Sequence, residues 1–265
     1  MQFVSLNRLG LGTRSGSCAE ALQWFGAVTV AGGSVSGARR VAVNRLIVTL
    51  QAAGIWPLLD RLWLHAAENA TQALIDLKAR ATATAVNSPT FTVDRGYAGN
   101  GTSSSLNLGL AANAAGINFS RDGASFGGWI LGFTGGGGVD FGFDYGGYSM
   151  LIALASSTQV RFEINSGTNP SGVPTVGTFT AGLYHGQRTG ASVSALYRNG
   201  SSIITSTAPS VALQAKNFGA GAYVAGPASF STGQYGASFI GASLSGKEVA
   251  FSNAMRTYMT GVGVP

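Results

Sequence analysis

This sequence predicts an antiparallel two-sheet β-sandwich carrying a few short helices, one near the amino end and one at the carboxyl end. Three observations carry that expectation. From about residue 80 to about residue 244, short apolar runs recur at roughly 8 to 14 residue spacing with turn residues between them and no helical period, the pattern of sandwich strands. Ser192 to Tyr197 alternates and runs into Asn199-Gly200, a strong hairpin signal. After the last strand, Phe251, Met255, Tyr258 and Met259 fall on one stripe of a helix that Gly261 stops.

Taken in chain order, residues 1 to 36 mix apolar pieces (Phe3-Val4, Trp24-Phe25, Val28, Val30) with Gly, Ser and Thr and show no period. They predict an extended arm or a pair of small strands. From Arg39 to Ala53, Val43, Leu46, Ile47 and Leu50 have helical spacing and Gly54 is a C-terminal stop. Trp56-Pro57 opens a turn and residues 62 to 64 form a short buried strand. Asn69 and Gln72 make a capping pair ahead of Ala73, Leu74 and Leu77, predicting a second helix of about three turns. Strands are then expected at 89 to 93, 104 to 110, 126 to 133, 138 to 144, 148 to 154, 158 to 164, 178 to 184, 191 to 197, 202 to 205, 220 to 224 and 236 to 241. At the last helix, Ser245 and Glu248 have capping-box spacing. The domain reading is an arm over 1–36 and one sandwich domain over 37–265.

Charged residues are 10% of the chain, against roughly 25% in typical soluble domains, so a free monomer would expose wide uncharged areas. This predicts a permanently assembled protein, a homo-oligomer with a trimer as one form. The net charge of +6 is carried mainly by arginine, which interfaces favour over lysine. Phe3, Trp24, Phe25, Arg39 and Arg40 are therefore the assembly candidates. No Lys/Arg run exceeds Arg39-Arg40, which argues against nucleic acid as a partner. No apolar run approaches the ~18 residues a membrane span needs. Cys18 is alone, which excludes an intrachain disulfide.

Several constellations could carry chemistry. A glycosidase needs two carboxylates across the scissile bond, usually at alternate positions of one strand, yet none of the four glutamates sits two or four residues from another acid. Glu163 lies on a good strand and reads as an outward partner of Arg161. Gly123-Ala124-Ser125-Phe126-Gly127 matches a nucleophile motif, with Asp140 and His185 following in hydrolase order. It continues as strand where a helix is required, so a hairpin bend is the better reading. Two histidines exclude a three-histidine zinc site. The expectation is of no catalytic residue, no cofactor and no enzyme. Asp140 and Asp144, four apart, are calcium candidates set against a solvent-facing edge strand. Trp129, Tyr145 and Tyr148 are the glycan-stacking candidates in an aromatic-rich stretch, against the alternative of core filling.

The segment Asp60 to Gly109, with AVNSPTFTVDRGYAGNG as its most specific part, the hairpin SALYRNG at Ser194 to Gly200, and ASFIGASLS followed by MRTYMTGVG resemble the LamG-like, concanavalin A-like jelly-roll virion proteins of tailed bacteriophages. The likeness spans roughly residues 38 to 263. It implies a jelly roll displayed on a tail, fibre or head, with other virion proteins as partners, no assigned catalysis and a place on the particle surface. A receptor-binding module for a host glycan and a glycoside hydrolase of the same fold are the alternatives.

Overall fold

Residues 19–30 of the expected arm form helix, and residues 1–15 lie outside the described residues. In the computed structural model, which describes residues 16–132, 138–143, 151–154, 160–167, 180–223 and 229–264, helix α1 runs over Ala19–Val30. Ala21, Trp24, Phe25 and Val28 are buried at helical spacing, while Leu22 and Val30 stay exposed. Those exposed apolar residues blur the period, which is why periodicity alone missed the element. The Cys18 amide donates to Asn44 Oδ1 at 2.7 Å, and Trp24 Nε1 donates to the Ile75 carbonyl at 2.9 Å, so the start and the middle of the element are tied to the body.

Helix α2, Gly37–Ala52, matches expectation. The Ser36 hydroxyl accepts from the Arg39 amide, and Val43, Leu46, Ile47 and Leu50 face inward. Gly54 ends it at φ 64°, with its amide on Gln51 O and the Ile55 amide on Leu50 O, the reversed bonding of a glycine C-cap. A 3-10 turn over Trp56–Leu58 leads into strand β1, Leu59–Trp63. Helix α3 is only Ala70–Leu74. Asn69 does cap it, accepting from the Gln72 amide at 2.9 Å. The expected third turn is lost because Ile75 bridges Thr82 and the Leu77 amide is taken by the Leu62 carbonyl.

Twelve of the strands follow: β2 (Thr84–Val86), β3 (Thr90–Thr92), β4 (Gly96–Ala98), β5 (Ser105–Ala111), β6 (Ala124–Gly132), β7 (Val139–Gly142), β8 (Leu151–Leu154), β9 (Val160–Glu163), β10 (Gly182–Gly190), β11 (Val193–Arg198), β12 (Ser201–Ser206) and β13 (Asn217–Ala220). Strand β14, Gln234–Gly241, precedes the final helix α4, Glu248–Gly261. One sheet has the order β12-β11-β10-β6-β14-β4-β3, with β1 also paired to β14, and the other the order β2-β5-β13-β7-β8-β9. Every strand pair described is antiparallel. The protein is mainly β, an antiparallel sandwich with few helices.

Two apolar clusters divide the interior. Between the sheets, Phe126 and Ile130 of β6, Tyr184 of β10 and Ile240 of β14 meet Leu106 and Leu108 of β5, Phe218 of β13 and Phe162 of β9. Phe218 sits among Phe119, Phe126 and Phe143 at 5.2 to 5.9 Å between ring centroids. On the other face of the larger sheet, Trp129, Leu183, Ala237 and Phe239 are covered by α1, α2 and α4. Alternation along a strand sends successive side chains to opposite faces, so the central strands are apolar on both and the fold has three layers. Gly127 and Gly128 permit this crowding in β6: a Cβ would stand 2.1 Å from the Tyr184 carbonyl at the first and 2.0 Å from the Ala237 carbonyl at the second.

Two local expectations are corrected. The stripe Phe251, Met255, Tyr258 and Met259 is buried, but the capping box is not formed. Lys247 holds the N-cap position with its side chain bonded to the Ala53 carbonyl and not to the helix, the Ser245 amide itself donates to Ser243 Oγ at 3.3 Å, and Glu248 turns to Gln187 at 2.8 Å. Ser125 lies inside β6 and is not part of a hairpin bend.

Candidate functional site

The buried polar groups come first, because they decide which sequence candidates remain accessible. Arg39 is 5% exposed at the start of α2. Its Nη1 donates to the Ala66 carbonyl and to the Tyr258 hydroxyl, each at 2.6 Å, and Nη2 pairs with Asp94 in the β3–β4 turn. The Tyr258 hydroxyl donates onward to Ala66 O at 3.1 Å. Burial pushes the Tyr258 phenol up to about 12, with the Arg39 charge opposing. Trp24 and Phe25 are core residues of α1, and Arg40 lies over the Phe25 ring at 4.6 Å while its Nε donates to Val35 O. Three of the assembly candidates, Trp24, Phe25 and Arg39, thus lie inside the protein, and Arg40 is half-buried against it. Phe3 lies outside the described residues.

Trp129 is likewise corrected. It is 1% exposed in the helix-side cluster, with the Arg256 guanidinium 5.7 Å above its ring, and offers no free face for a sugar. Tyr145, Tyr148 and Asp144 lie outside the described residues. Asp140, expected on a strand face, is buried where the sheets meet. Its Oδ1 accepts from Ser231 Oγ at 3.0 Å and from the Tyr235 hydroxyl at 2.9 Å. Burial first, then the Asp140 charge, raises the Tyr235 phenol well above its ordinary value. Among the described residues no group of three or more His, Cys, Asp or Glu is placed to hold a metal ion.

The hydrolase-order residues are not joined. Ser125 Oγ donates to the Ala242 carbonyl at 2.6 Å, and Asp140 has the partners just named. His185 is fully buried, stacked on Tyr197 at 5.0 Å and 7°, with neither ring nitrogen bonded. Desolvation lowers it to about 3. His65 is lowered to about 4 by the same cause, against its bond to Ala73 O. Glu163 shares the outer side of β9 with Arg161 but is 8% exposed, and burial raises its carboxyl above the ordinary value against the Arg161 charge.

Among the described residues an open groove of about 500 Å³ lies between α2 and α4, within the range of small-molecule sites. Its floor is small: Ala38 and Ala42 on α2 face Ala250 and Ala254 on α4. Arg45, Thr49, Asn253 and Thr257 bring hydrogen-bonding groups to it, and Val41, 69% exposed, stands on the rim. Sequence reasoning passed over this site. The signal was two alanine pairs at i, i+4, each able to let a neighbour approach closely.

No family model matches the sequence, and no curated protein matches it. Solved structures do. A Trypanosoma rangeli sialidase mutant with trans-sialidase activity is similar over 82% of this chain and 39% of that one, at 11% identity and a TM-score of 0.56. Domain 4 of AbnA, a GH43 extracellular arabinanase of Geobacillus stearothermophilus in complex with arabinotriose, is similar over 74% of this chain and 98% of that one, at 14% identity and 0.50. The botulinum neurotoxin serotype D binding domain gives 77% and 52%, at 10% and 0.54. The chain spans about two fifths of the sialidase it matches. The expectation of no enzyme, which rested on the missing carboxylate pair and on the strand context of the serine motif, is overturned: the solved neighbours of this fold include a sialidase and part of an arabinanase. At these identities the likeness defines the fold: an antiparallel β-sandwich of the kind found in carbohydrate-binding and glycoside hydrolase proteins.

Proposed function

We propose that this chain is a carbohydrate-recognising module whose ligand is an oligosaccharide of a host cell surface. The observation that carries the reading is the likeness to domain 4 of AbnA, which extends over 98% of a domain solved with arabinotriose. The groove between α2 and α4 is the candidate site. It has the volume for a short oligosaccharide, and Arg45, Thr49, Asn253 and Thr257 supply donors and acceptors beside an apolar floor. A glycan array with the whole chain, followed by calorimetry on the strongest hits and on arabinotriose, tests it. Saturable binding weakened at least tenfold by Asn253→Ala with Arg45→Ala supports both module and site. Binding that survives both substitutions moves the site elsewhere, and no binding to any glycan removes the reading.

A second reading, a structural component of a phage particle, is favoured by the helix layer, where Leu22, Val30, Val41, Val48 and Val249 are exposed. An apolar layer of that kind suits attachment to another virion protein. Antibody labelling of purified particles in the electron microscope would place the chain on the particle or exclude it.

A further inference from the structure

Beside β1, whose outer side is bonded by Asp76 and Leu77, four strands lie at the ends of the two sheets, and three of those four are blunted. Strands β2 and β3 are three residues each, and β9, of four residues, carries Arg161 and Glu163. Short length and charge are the usual protections of a sheet edge. The fourth, β12, has neither. It is six residues long, Ser-Ser-Ile-Ile-Thr-Ser, pairs among the described residues with β11 alone, in a register that shifts once, at Ile203, and no charged residue occurs from Gly200 to Gln214. Ser201, Ser202 and Thr205 are exposed.

This edge is also held rigid. At its start, Asn199 (φ 52°) and Gly200 (φ 85°) form the turn to β11, and the Asn199 side chain accepts from the Leu183 amide at 3.0 Å. A Cβ on Gly200 would lie 2.8 Å from Val249 Cα, so the turn is seated on the first turn of α4. In the strand, Ile203 and Ile204 pack partly against the inter-sheet core. Past its end, the chain leaves toward the smaller sheet, where the Val211 amide bonds Asn165 O and Ser210 bridges Ser166. Apart from the bulge at Ile203, the strand is therefore presented in fixed extended form, which lowers the ordering cost of adding another strand.

We propose that β12 pairs antiparallel with β12 of a second copy, joining the two larger sheets into one across a two-fold axis. A two-fold axis normal to the sheet brings each strand residue opposite one of the same face, so Ile203 or Ile204 meets its own counterpart at the centre. Around them only hydroxyl and aliphatic side chains face one another, and no register sets like charges together. Main-chain bonds supply the affinity, as in strand addition generally.

The test uses the whole chain. Light scattering after gel filtration, from about 5 to about 200 μM, is expected to show a mass twice 26.9 kDa at the upper concentrations. Amide exchange of Ser201 to Ser206 is expected to slow as concentration rises. The double variant Ser202→Lys with Thr205→Lys changes two exposed positions and keeps the isoleucines. It is expected to weaken the dimer at least tenfold while its circular dichroism and melting temperature stay within a few degrees of the parent. A monomer at every concentration, or a dimer that the lysines leave intact, overturns the proposal. Concentration-independent exchange at the β12 amides does so as well.

Discussion

The Arg39 guanidinium and the Tyr258 hydroxyl, 219 residues apart in sequence, meet at 2.6 Å and lock the first turn of α2 to the last turn of α4. The same nitrogen holds the Ala66 carbonyl, and the other terminal nitrogen holds Asp94. One cation thus fixes the two longest helices and the β3–β4 turn to one point.

Removing that cation leaves the Tyr258 hydroxyl and the Asp94 carboxylate without its donors and the Ala66 carbonyl with the Tyr258 hydroxyl alone. Arg39→Met is expected to cost about 2 to 3 kcal/mol, the range of hydrogen bonds from a charged donor, since Asp94 keeps 35% of its side chain in water. Tyr258→Phe keeps the ring and is expected to cost about 1 to 2 kcal/mol. Urea titration of both variants checks the order, and equal losses would contradict the shared node.

At the carboxyl-terminal helix, Phe251 is fully buried and meets Phe239 edge to face at 4.7 Å. Phe251→Ala is expected to cost about 3 to 5 kcal/mol through the cavity it leaves. Ser245→Ala is expected to stay within about 0.5 kcal/mol of the parent, because the serine hydroxyl does not cap the helix. Thermal melts rank the two.

Acid is expected to weaken the fold through the two buried histidines. Unfolded, each binds a proton near pH 6.5, while in the fold His65 does so only near about 4 and His185 near about 3. Between those values the unfolded chain holds more protons, so stability falls as pH drops below about 6.5, by up to about 1.4 kcal/mol per unit for each histidine. Denaturant titrations at several values between pH 7 and pH 4 measure the slope. His185→Phe, which retains a ring to stack on Tyr197, is expected to lessen it, and an unchanged slope would exclude His185 as a source.

Gly200→Ala places a methyl against Val249 Cα at a backbone angle of φ 85°, where side chains are strained. The expected cost is at least about 1 kcal/mol, seen as a melting temperature lowered by several degrees. A melting temperature equal to the parent's would show that the hairpin is free of α4.

Legibility followed the range of the interactions. Helix α2 showed in the spacing of Val43, Leu46, Ile47 and Leu50, and α4 in that of Phe251, Met255 and Tyr258, because each buries one stripe. The hairpin at Asn199-Gly200 showed because only a few residue types accept its left-handed angles. Helix α1 did not, since Leu22 and Val30 interrupt its stripe, nor did the shortness of α3, which a bridge from Ile75 to Thr82 cuts off.

By itself the sequence determined the class of fold, most of the strands and the two long helices, for these depend on periods and turn residues within a few positions of one another. Which side chains are reachable was decided by tertiary structure alone. Trp129 and Phe25 look like surface aromatics until the helix layer closes over them, and Arg39 looks like an interface arginine until Tyr258 arrives from the other end of the chain. Asp140 looks like a ligand until Ser231 and Tyr235 bond it. A residue's burial is set by what packs across from it, and residues brought together from distant parts of the chain leave no periodic trace in either segment.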